Sequence, residues 1–526
     1  MEKINGRKLS LIFIFILILL VIALLVGKFT YSYLGPTISD DLETQGEVTA
    51  SGDTLIFTKG NNLSLSATTD NFTTGGANLT STTNPKVKLV ASTKTNQASA
   101  TYYVGVVINS NLYTYTTSDN TAEVILTIKD ENGSNVTSGV DGLTYVTSGG
   151  VSGFDVTGKT GLFNIKTDYP ISTTSSSTGT THTWTFTLTF VNLGTDQSEN
   201  ENAKMSVDIY LQKSSEFPSI LADVCSDGDN LSECITTLSQ KSVSPVSKIY
   251  YHDSTLANGA GDNSYRYAGA SESVNNFVCF GSDAATCPTD NLYRIIGVID
   301  GKVKLIKYDY ATSSLLGTDG DYSGSDTPDT NYYKGSLSSI DQYYWNEATG
   351  TNTWSESNLN KINLNTNFIN NIGSTWANKI TTTTWKVGGN TYDNIAKSVP
   401  PVAYQNEIVS PSENTTYDAK IGLMYASDYG FAASPSAWTK TLLNYSANDT
   451  NGTSIRSQNW MYMGYYDWMI SRLSDYSDRA FLVGSVGDVG GNIVSLGRGV
   501  RPSFNLSSSI TYVSGSGSAV DPILIN

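Results

Sequence analysis

The first apolar run of the chain is its clearest sequence signal. Leu9–Val26 is almost unbroken apolar sequence, and Lys3, Arg7 and Lys8 precede it. Roughly 18 to 20 apolar residues span a bilayer as a helix, and a positive flank stays on the cytoplasmic side. We therefore predict a single-pass membrane anchor in residues 1–34, with the rest of the chain outside the cell. A cleaved signal peptide is the alternative.

Period-two alternation of apolar and polar positions marks residues 35–213. In "THTWTFTLTFVN" (181–192) and "KMSVDIYLQK" (204–213), every second residue is apolar over most of the segment. This pattern is typical of strands that bury one face. Several such strands with turn clusters between them form a sandwich. We predict an all-β sandwich over residues 35–213.

Residues 246–526 combine strand and helix signals. Asp300-Gly301 separates two β-rich runs in "NLYRIIGVIDGKVKLIKYDY", which predicts a hairpin. The segments "SESNLNKINLNTNFINNI" (355–372) and "SAWTKTLLNYS" (436–446) predict short helices. This part of the chain is therefore expected to be an α+β domain with long loops.

Residues 214–245 lie between the two predicted domains. They contain a short helix-like part followed by a stretch rich in serine and proline. We interpret them as a connector. The alternative is that they pack onto the second domain, held by a disulfide of their own.

The four cysteines are Cys225, Cys234, Cys279 and Cys287. An even number of cysteines outside the membrane is typical of disulfides. The spacings favour two local loops, Cys225–Cys234 and Cys279–Cys287, and two other pairings stay open. A metal site built from all four thiolates is the rival interpretation, but the closely spaced cysteine pairs that such sites use are absent.

Composition narrows the classes of function. Only 15% of residues are charged and the formal net charge is -16, which makes nucleic acid a poor partner. The two histidines, His182 and His252, lie far apart in sequence, which disfavours histidine-dependent catalysis and zinc.

Four segments of the second domain form a distinctive combination: "NNFVCFGSDAATCPTDNLYRIIGVIDGKVKLIKYDY", "IGLMYASDYGFAASPSAWT", "NWMYMGYYDWMISR" and "GVRPSFNLSSSITYVSGSGSAVDPILIN". Together they resemble an uncharacterised extracellular domain of Gram-positive gut-bacterial surface proteins. By analogy, this domain is similar to the C-type-lectin-like fold, close to its formylglycine-generating-enzyme branch. The resemblance implies that "ITYVSG" and "PILIN" are closing strands and that Ser514–Ala519 is the turn between them.

Three stretches stand out in the first part of the chain: "FTYSYLG", "YYVGVVIN" and "TWTFTLTFVNLGTDQSENENAKMSVDIYLQ". They resemble the camelysin-like subunits of Gram-positive biofilm fibres. The resemblance implies a jelly-roll-like sandwich that serves as a stalk or as an assembly module, with self-assembly as an expected property.

The resemblance of the second domain to the C-type-lectin-like fold also bears on which chemistry this domain can perform. Formylglycine-generating enzymes use late active-site cysteines, and this chain has none after Cys287, which argues against that oxidase. The calcium loops that bind sugars in C-type lectins have no match here. Asp319, Asp321 and Ser323 alternate like the start of a calcium loop, but Thr330 stands where a bidentate Glu belongs. Calcium is the only cofactor candidate, and a solvated acidic loop is the alternative.

Aromatic residues are the other candidates for binding. Tyr and Trp offer flat apolar faces with polar tips, which suit sugar rings and protein interfaces. Five residues adjoin polar turns and are predicted at a binding surface: Tyr343, Tyr344, Trp345, Tyr465 and Tyr466. Three others are assigned to the core: Trp438, Trp460 and Trp468. Arg501 is predicted to be structural, paired with a buried carboxylate.

These observations predict a cell-surface recognition or adhesion protein, whose second domain binds a glycan or protein ligand without catalysis. A subunit of an extracellular fibre is one alternative, with the sandwich as the functional part. A cell-wall or glycan hydrolase is the other, since paired carboxylates are available, but no motif points to one.

Overall fold

The computed structural model describes residues 46–526 with the exception of 51, 59, 73–75, 214–216, 285 and 450–451. The predicted membrane segment Leu9–Val26 and its basic flank lie outside the described residues. None of the helices in the described ranges combines the length and the apolar character that a bilayer span requires.

Residues 46–212 form three antiparallel sheets. The first sheet has the order Gly46–Ala50 (β1), Asp53–Thr58 (β2), Lys86–Val90 (β5), Thr180–Thr183 (β11). The second has the order Gly161–Thr173 (β10), Ala98–Asn111 (β6), Lys204–Gln212 (β13), Leu63–Ser66 (β3). The third has the order Leu79–Thr83 (β4), Thr185–Phe190 (β12), Val124–Lys129 (β7), Val151–Asp155 (β9), Thr144–Ser148 (β8). Two short 3₁₀ turns, Thr69–Phe72 and Ser198–Asn200, complete this part.

The alternation seen in the sequence explains how these sheets bury one face. Along β13, every second residue from Met205 to Leu211 is buried and the residues between are partly exposed. Phe186, Leu188 and Phe190 of β12 are fully buried in the same core. The prediction of an all-β sandwich is therefore confirmed at the level of antiparallel sheets around a shared core.

A second hydrophobic core draws on residues from Leu221 to Ile525, and we call residues 217–526 the second domain. Its main sheet has the order Ile249–His252 (β14), Ser264–Tyr267 (β15), Leu292–Ile299 (β17), Lys302–Lys307 (β18), Ser503–Asn505 (β27), Ile421–Gly422 (β23), and Phe277–Cys279 (β16) pairs with β17. Three smaller sheets have two strands each: Tyr322–Asp326 (β19) pairs with Ile340–Tyr343 (β20), Thr383–Lys386 (β21) pairs with Thr416–Ala419 (β22), and Tyr512–Ser514 (β28) pairs with Leu524–Ile525 (β29). A further sheet has three strands in the order Asp467–Arg472 (β24), Arg479–Val483 (β25), Val489–Ile493 (β26).

Short helices connect these strands. The α-helices are Leu231–Lys241 (α1), Ser244–Ser247 (α2), Ser313–Leu316 (α3), Ile369–Asn371 (α4), Gly373–Ala377 (α5), Tyr392–Ile395 (α6), Pro400–Tyr404 (α7) and Ala426–Ala432 (α8). Leu359–Phe368 and Gln405–Val409 are π-helical. The 3₁₀ turns are Leu221–Asp223, Ser271–Ser273, Thr289–Asn291, Trp354–Glu356, Pro435–Thr439, Leu442–Ser446 and Ile455–Gln458. Both segments predicted to be helical therefore are, although their geometry is mostly π and 3₁₀, with regular α geometry only at Ile369–Asn371.

The predicted hairpin is present between β17 and β18. Asp300 and Gly301 both have positive φ, 50° and 72°. Two successive residues with positive φ form the turn whose twist matches the two flanking strands. The Asp-Gly pair therefore sets the register of the central strands of the main sheet.

The segment predicted as a connector packs onto the second domain instead. Leu231, Ile235 and Leu238 of α1 are buried in the second core, and the Asn230 side chain caps the helix by accepting from two backbone amides. The alternative interpretation of this segment is the one that the structure supports. The Cys225–Cys234 disulfide ties the helix to the loop before it.

The two local disulfides favoured by the spacing, Cys225–Cys234 and Cys279–Cys287, are both present. The last residues form a strand and not a loose tail. Ile523 is fully buried, its amide donates to Phe277 O at 2.8 Å, and its carbonyl accepts from Cys279 N at 2.9 Å. The end of the chain therefore closes the second domain.

Candidate functional site

The aromatic residues predicted at a binding surface are mostly internal. Tyr343 and Trp345 are fully buried and Tyr465 is 6% exposed, so the prediction that they lie at the surface is wrong. Only Tyr344 and Tyr466 are partly exposed. These five rings do not form a shared binding face.

Hydrogen bonding explains why these rings are buried despite the polar turns beside them. The indole N–H of Trp345 donates to Met469 O at 2.9 Å, and the hydroxyl of Tyr343 donates to Gly317 O at 2.9 Å. A polar tip that finds an internal partner no longer has to reach water. The three tryptophans assigned to the core are buried, as predicted: Trp438, Trp460 and Trp468.

The two aspartates among the predicted calcium residues have different partners, and the buried hydroxyl oxygen of Ser323 has no hydrogen-bond partner among the described residues. Asp319 Oδ1 accepts from the Asn367 side chain at 2.6 Å. Asp321 is buried, and its Oδ2 accepts from Leu359 N at 2.9 Å. Burial raises the pKa of Asp321. These carboxylates therefore act as structural hydrogen-bond acceptors for the helix Leu359–Phe368.

In the described part of the chain, one group of three potential metal ligands lies close together: Cys225, Asp229 and Cys234. Both of its thiols are consumed by the Cys225–Cys234 disulfide. An oxidised pair offers no thiolate to a metal.

A groove in the second domain is a stronger candidate for a functional site. Its volume is about 490 Å³, within the range typical of ligand sites. It is lined by the rings of Phe277, Tyr308 and Tyr462 and by the charged residues Lys334, Arg456 and Glu272. We call it the Tyr308 groove.

The rings of Phe277, Tyr308 and Tyr462 form what we call the aromatic floor of the groove, and packing and hydrogen bonding hold them in place. The Phe277 and Tyr308 rings meet edge to face with centroids 5.0 Å apart. Tyr462 is 4% exposed and its hydroxyl donates to Ser485 O at 2.6 Å. Of these three rings, Tyr308 is the one that stays partly exposed, so it can offer a face to a ligand.

The turn at one end of the groove requires a glycine. Gly517 has a φ of 82°, and a Cβ there would lie 2.5 Å from Asn275 O. The close approach lets Gly517 O accept from Phe277 N at 2.8 Å. Ser518 and Ala519 then follow as part of the groove wall.

Arg294 lies beneath the aromatic floor. Its guanidinium is 4.1 Å from the Phe277 ring centroid and 4.8 Å from that of Trp460. Its hydrogen bonds go to neutral acceptors, among them Asn276 Oδ1 and Ser271 Oγ, each at 2.6 Å. Arg294 forms no ion pair with any residue that the structure describes.

Burial lowers the pKa of Arg294 to about 9, so the guanidinium keeps its charge at neutral pH. The neighbouring Arg501 is neutralised, because its Nε donates to Asp467 Oδ2 at 2.6 Å. The prediction that Arg501 is a structural arginine paired with a buried carboxylate is therefore confirmed. Arg294 therefore places a positive charge under the groove without an ion-paired carboxylate among the described residues, and the Glu272 carboxylate in the lining acts on it at longer range.

Two more cations lie on the rim. Lys334 is exposed, and its backbone amide donates to Met463 O at 2.9 Å. The Arg456 guanidinium lies 5.2 Å from the Tyr332 ring centroid. Neither side chain forms an ion pair with a described residue.

Sequence reasoning missed this site because its lining comes from separate segments of the chain. One signal was available. Arg294 stands alone among apolar residues in "LYRIIGVI", the whole of β17. A lone arginine in a strand buried on both faces needs internal partners, and it marks the place where the groove is built.

A larger depression, of about 880 Å³, lies in the sandwich and is lined mainly by small and hydroxylated residues with Glu131, His182 and Lys213. This depression has no aromatic floor, so the Tyr308 groove is the better defined site. Comparison with known proteins gives no match to any family model, curated protein or solved structure.

Proposed function

We propose that this chain is a membrane-anchored extracellular recognition protein whose second domain binds an acidic glycan in the Tyr308 groove. The observation that carries the proposal is Arg294, a buried cation without a carboxylate partner among the described residues, beneath an aromatic floor. Lys334 and Arg456 add two cations at the rim.

The proposed contacts follow from the chemistry of the lining. The partly exposed Tyr308 ring can stack on the apolar face of a sugar ring. Lys334 and Arg456 can form charge-assisted hydrogen bonds with a carboxylate of the glycan. The formal net charge of the chain is -16, so an acidic ligand is repelled by most of the surface and attracted to this groove.

We further propose that the second domain has an α+β, C-type-lectin-like fold and that the sandwich is a jelly-roll-like stalk. The meeting of the two ends of the second domain supports the first assignment. Gly228 N donates to Tyr512 O at 2.9 Å and Tyr512 N donates to Asp229 O at 2.8 Å. Self-assembly through the sandwich remains a proposal of the same kind.

Binding without catalysis fits the groove better than hydrolysis. Most glycosidases use two carboxyl groups on opposite sides of the scissile bond. Glu272 is the one carboxylate among the described residues that line the groove. A second acid or base would have to come from outside that lining.

A glycan array probed with the ectodomain (residues 46–526) tests the proposal. We expect the bound glycans to be enriched in carboxylated sugars. The matched control is the same set after reduction of the carboxyl groups to alcohols, which should bind weakly. Equal binding to both sets would contradict the proposal, and release of shortened glycan would support the hydrolase alternative.

A further inference from the structure

A second cluster of buried charges lies apart from the groove, between the main sheet and helix α8. Lys304 on β18 and Asp428 on α8 are each at most 5% exposed as side chains, and Nζ of Lys304 lies 2.5 Å from Oδ2 of Asp428. The two residues are 124 positions apart in sequence. A lysine amine is thereby held directly against a carboxyl group in a dry interior.

The surroundings keep water away from this pair. The Lys304 Nζ lies 4.6 Å from the Tyr425 ring centroid and 5.4 Å from that of Trp385. Asp428 accounts for the one hydrogen bond that Nζ makes to the described residues. Burial lowers the pKa of Lys304, which favours the neutral, nucleophilic form of the amine.

The carboxyl group is held by donors at both oxygens. Arg266 Nη1 lies 3.3 Å from Oδ1 of Asp428, and Tyr425 N donates to Oδ2 at 3.0 Å. A cation at Oδ1 stabilises the negative charge that develops there when a nucleophile attacks the carbon. Oδ2, which faces the amine, is the oxygen placed to leave.

We propose that Lys304 and Asp428 condense to an intramolecular isopeptide bond. The lysine ammonium first passes a proton to Oδ2, which leaves a neutral amine and a neutral carboxylic acid. The Nζ–Cγ bond forms, the Cγ–Oδ2 bond breaks, and a second amine proton goes to the departing hydroxyl group. The products are one amide and one water. Nothing is oxidised or reduced, and no co-reactant is needed.

The remaining charges balance after the reaction. Arg266 keeps an ion pair with Asp262, whose Oδ2 lies 2.7 Å from Nη2. The reaction removes one positive and one negative charge together, and Arg266, which loses Asp428 as a counterion, still has Asp262. Burial raises the pKa of the neighbouring Glu407, which favours its neutral form in both states.

The test is mass spectrometry of the full chain, denatured and reduced. We expect a mass lower than the sequence mass by one water. Trypsin should yield peptide 303–307 joined to peptide 421–440, with Lys304 uncleaved. Lys304→Met should restore the full sequence mass and abolish the joined peptide.

A neighbouring lysine supplies the matched control. Lys307 is also buried, but its Nζ donates to a backbone carbonyl, Asp290 O, at 3.0 Å. Lys307→Met should therefore keep the water loss. If Lys304→Met does not fold, the joined peptide from the wild-type chain still decides the question. A wild-type chain at full sequence mass, with Lys304 cleaved by trypsin, would overturn the proposal.

Discussion

His252 is a buried imidazole in a mainly aromatic setting. Its Nδ1 accepts from Ala260 N at 3.0 Å, and its Nε2 has no hydrogen-bond partner in the described part of the chain. The Phe431 and Trp438 rings pack against it, with centroids 4.8 and 5.1 Å away. Burial, and secondly the charge of Arg266, lower its pKa well below the ordinary value.

This lowered pKa predicts how stability depends on pH. The unfolded imidazole takes up a proton as the pH falls below about 6.5, while the folded one resists. The contribution of His252 to stability is therefore complete above that pH and is lost as the pH falls towards and through the folded-state pKa. Asp262, which faces the same cluster, opposes the shift.

A variant isolates the contribution of His252. In His252→Asn, the amide oxygen can still accept from Ala260 N, but the side chain does not titrate. We expect the free energy of unfolding of the variant to be lower at neutral pH and to fall less steeply than that of the wild type between about pH 7.5 and 5.5. Denaturant unfolding at several pH values measures how steeply the free energy of unfolding changes with pH in each protein. Identical pH dependence in the wild type and the variant would contradict the lowered pKa of His252.

Single residues also show what the sequence could predict. The sequence predicts that Arg501 is a structural arginine paired with a buried carboxylate, and Asp467 is that carboxylate. Trp345 was placed wrongly because its neighbours are polar. The carbonyl that accepts its N–H belongs to Met469, far along the chain, and no local pattern indicates such a partner.

At the scale of elements, the last strand is a structural part of the second domain. Ile523 and Ile525 are buried, and β29 pairs with β28. Burial of each of these side chains contributes about 1.5 to 3 kcal/mol. Net domain stability is typically about 5 to 15 kcal/mol, so the strand contributes a large share.

Deleting Asp521–Asn526 should therefore lower the unfolding midpoint of the second domain markedly, measured by calorimetry of the ectodomain. Val520→Ser is the matched control, because Val520 is 95% exposed in the adjacent turn, and it should leave the midpoint unchanged. A truncated chain with the wild-type midpoint would mean that the strand is dispensable.

The cap of helix α1 is a second test at this scale. Asn230 Oδ1 accepts from Ser232 N and Glu233 N at 3.0 and 3.2 Å. Asn230→Ala should destabilise the second domain by about 0.5 to 2 kcal/mol. Asn230→Asp keeps the acceptor but loses the hydrogen bond that Asn230 Nδ2 donates to Ser508 O at 2.6 Å, so it should recover only part of that loss in urea unfolding. Equal losses in both variants would rule out capping as the cause.

Elements with a strong local signal were predictable, and those assembled from distant partners were not. The Asp300-Gly301 turn and the alternation of β13 are encoded by neighbouring residues, and both are present. The role of residues 214–245 depends on the second core, which contains Leu231 and Leu238. The sequence alone does not decide whether this segment is a connector or packs onto the second domain.

For the whole molecule, the central sequence prediction is topology. The apolar run Leu9–Val26 with its basic flank predicts that everything after residue 35 is extracellular. Protease added to intact, wall-stripped cells should digest the ectodomain, with a cytoplasmic protein as the protected control. An ectodomain that stays intact until the cells are lysed would reverse the orientation.

The Tyr308 groove belongs to this largest scale because no single segment encodes it. Phe277, Lys334, Arg456 and Ser518 reach the groove from different parts of the chain. The positive charge there runs against the acidic composition of the whole protein. Composition alone would have argued against an acidic ligand.

The most direct test of the account is the affinity of the ectodomain for a carboxylated glycan selected on the array. Lys334→Ala and Arg456→Ala should each weaken binding about tenfold or more, since a hydrogen bond to a charged group contributes about 1.5 to 3 kcal/mol. Lys397→Ala is the matched control, because Lys397 is exposed and pairs with Asp393 away from the groove lining, and it should bind like the wild type. Titration calorimetry at low and moderate salt measures all four proteins. Unchanged affinity in both groove variants would contradict the assignment of the Tyr308 groove as the binding site.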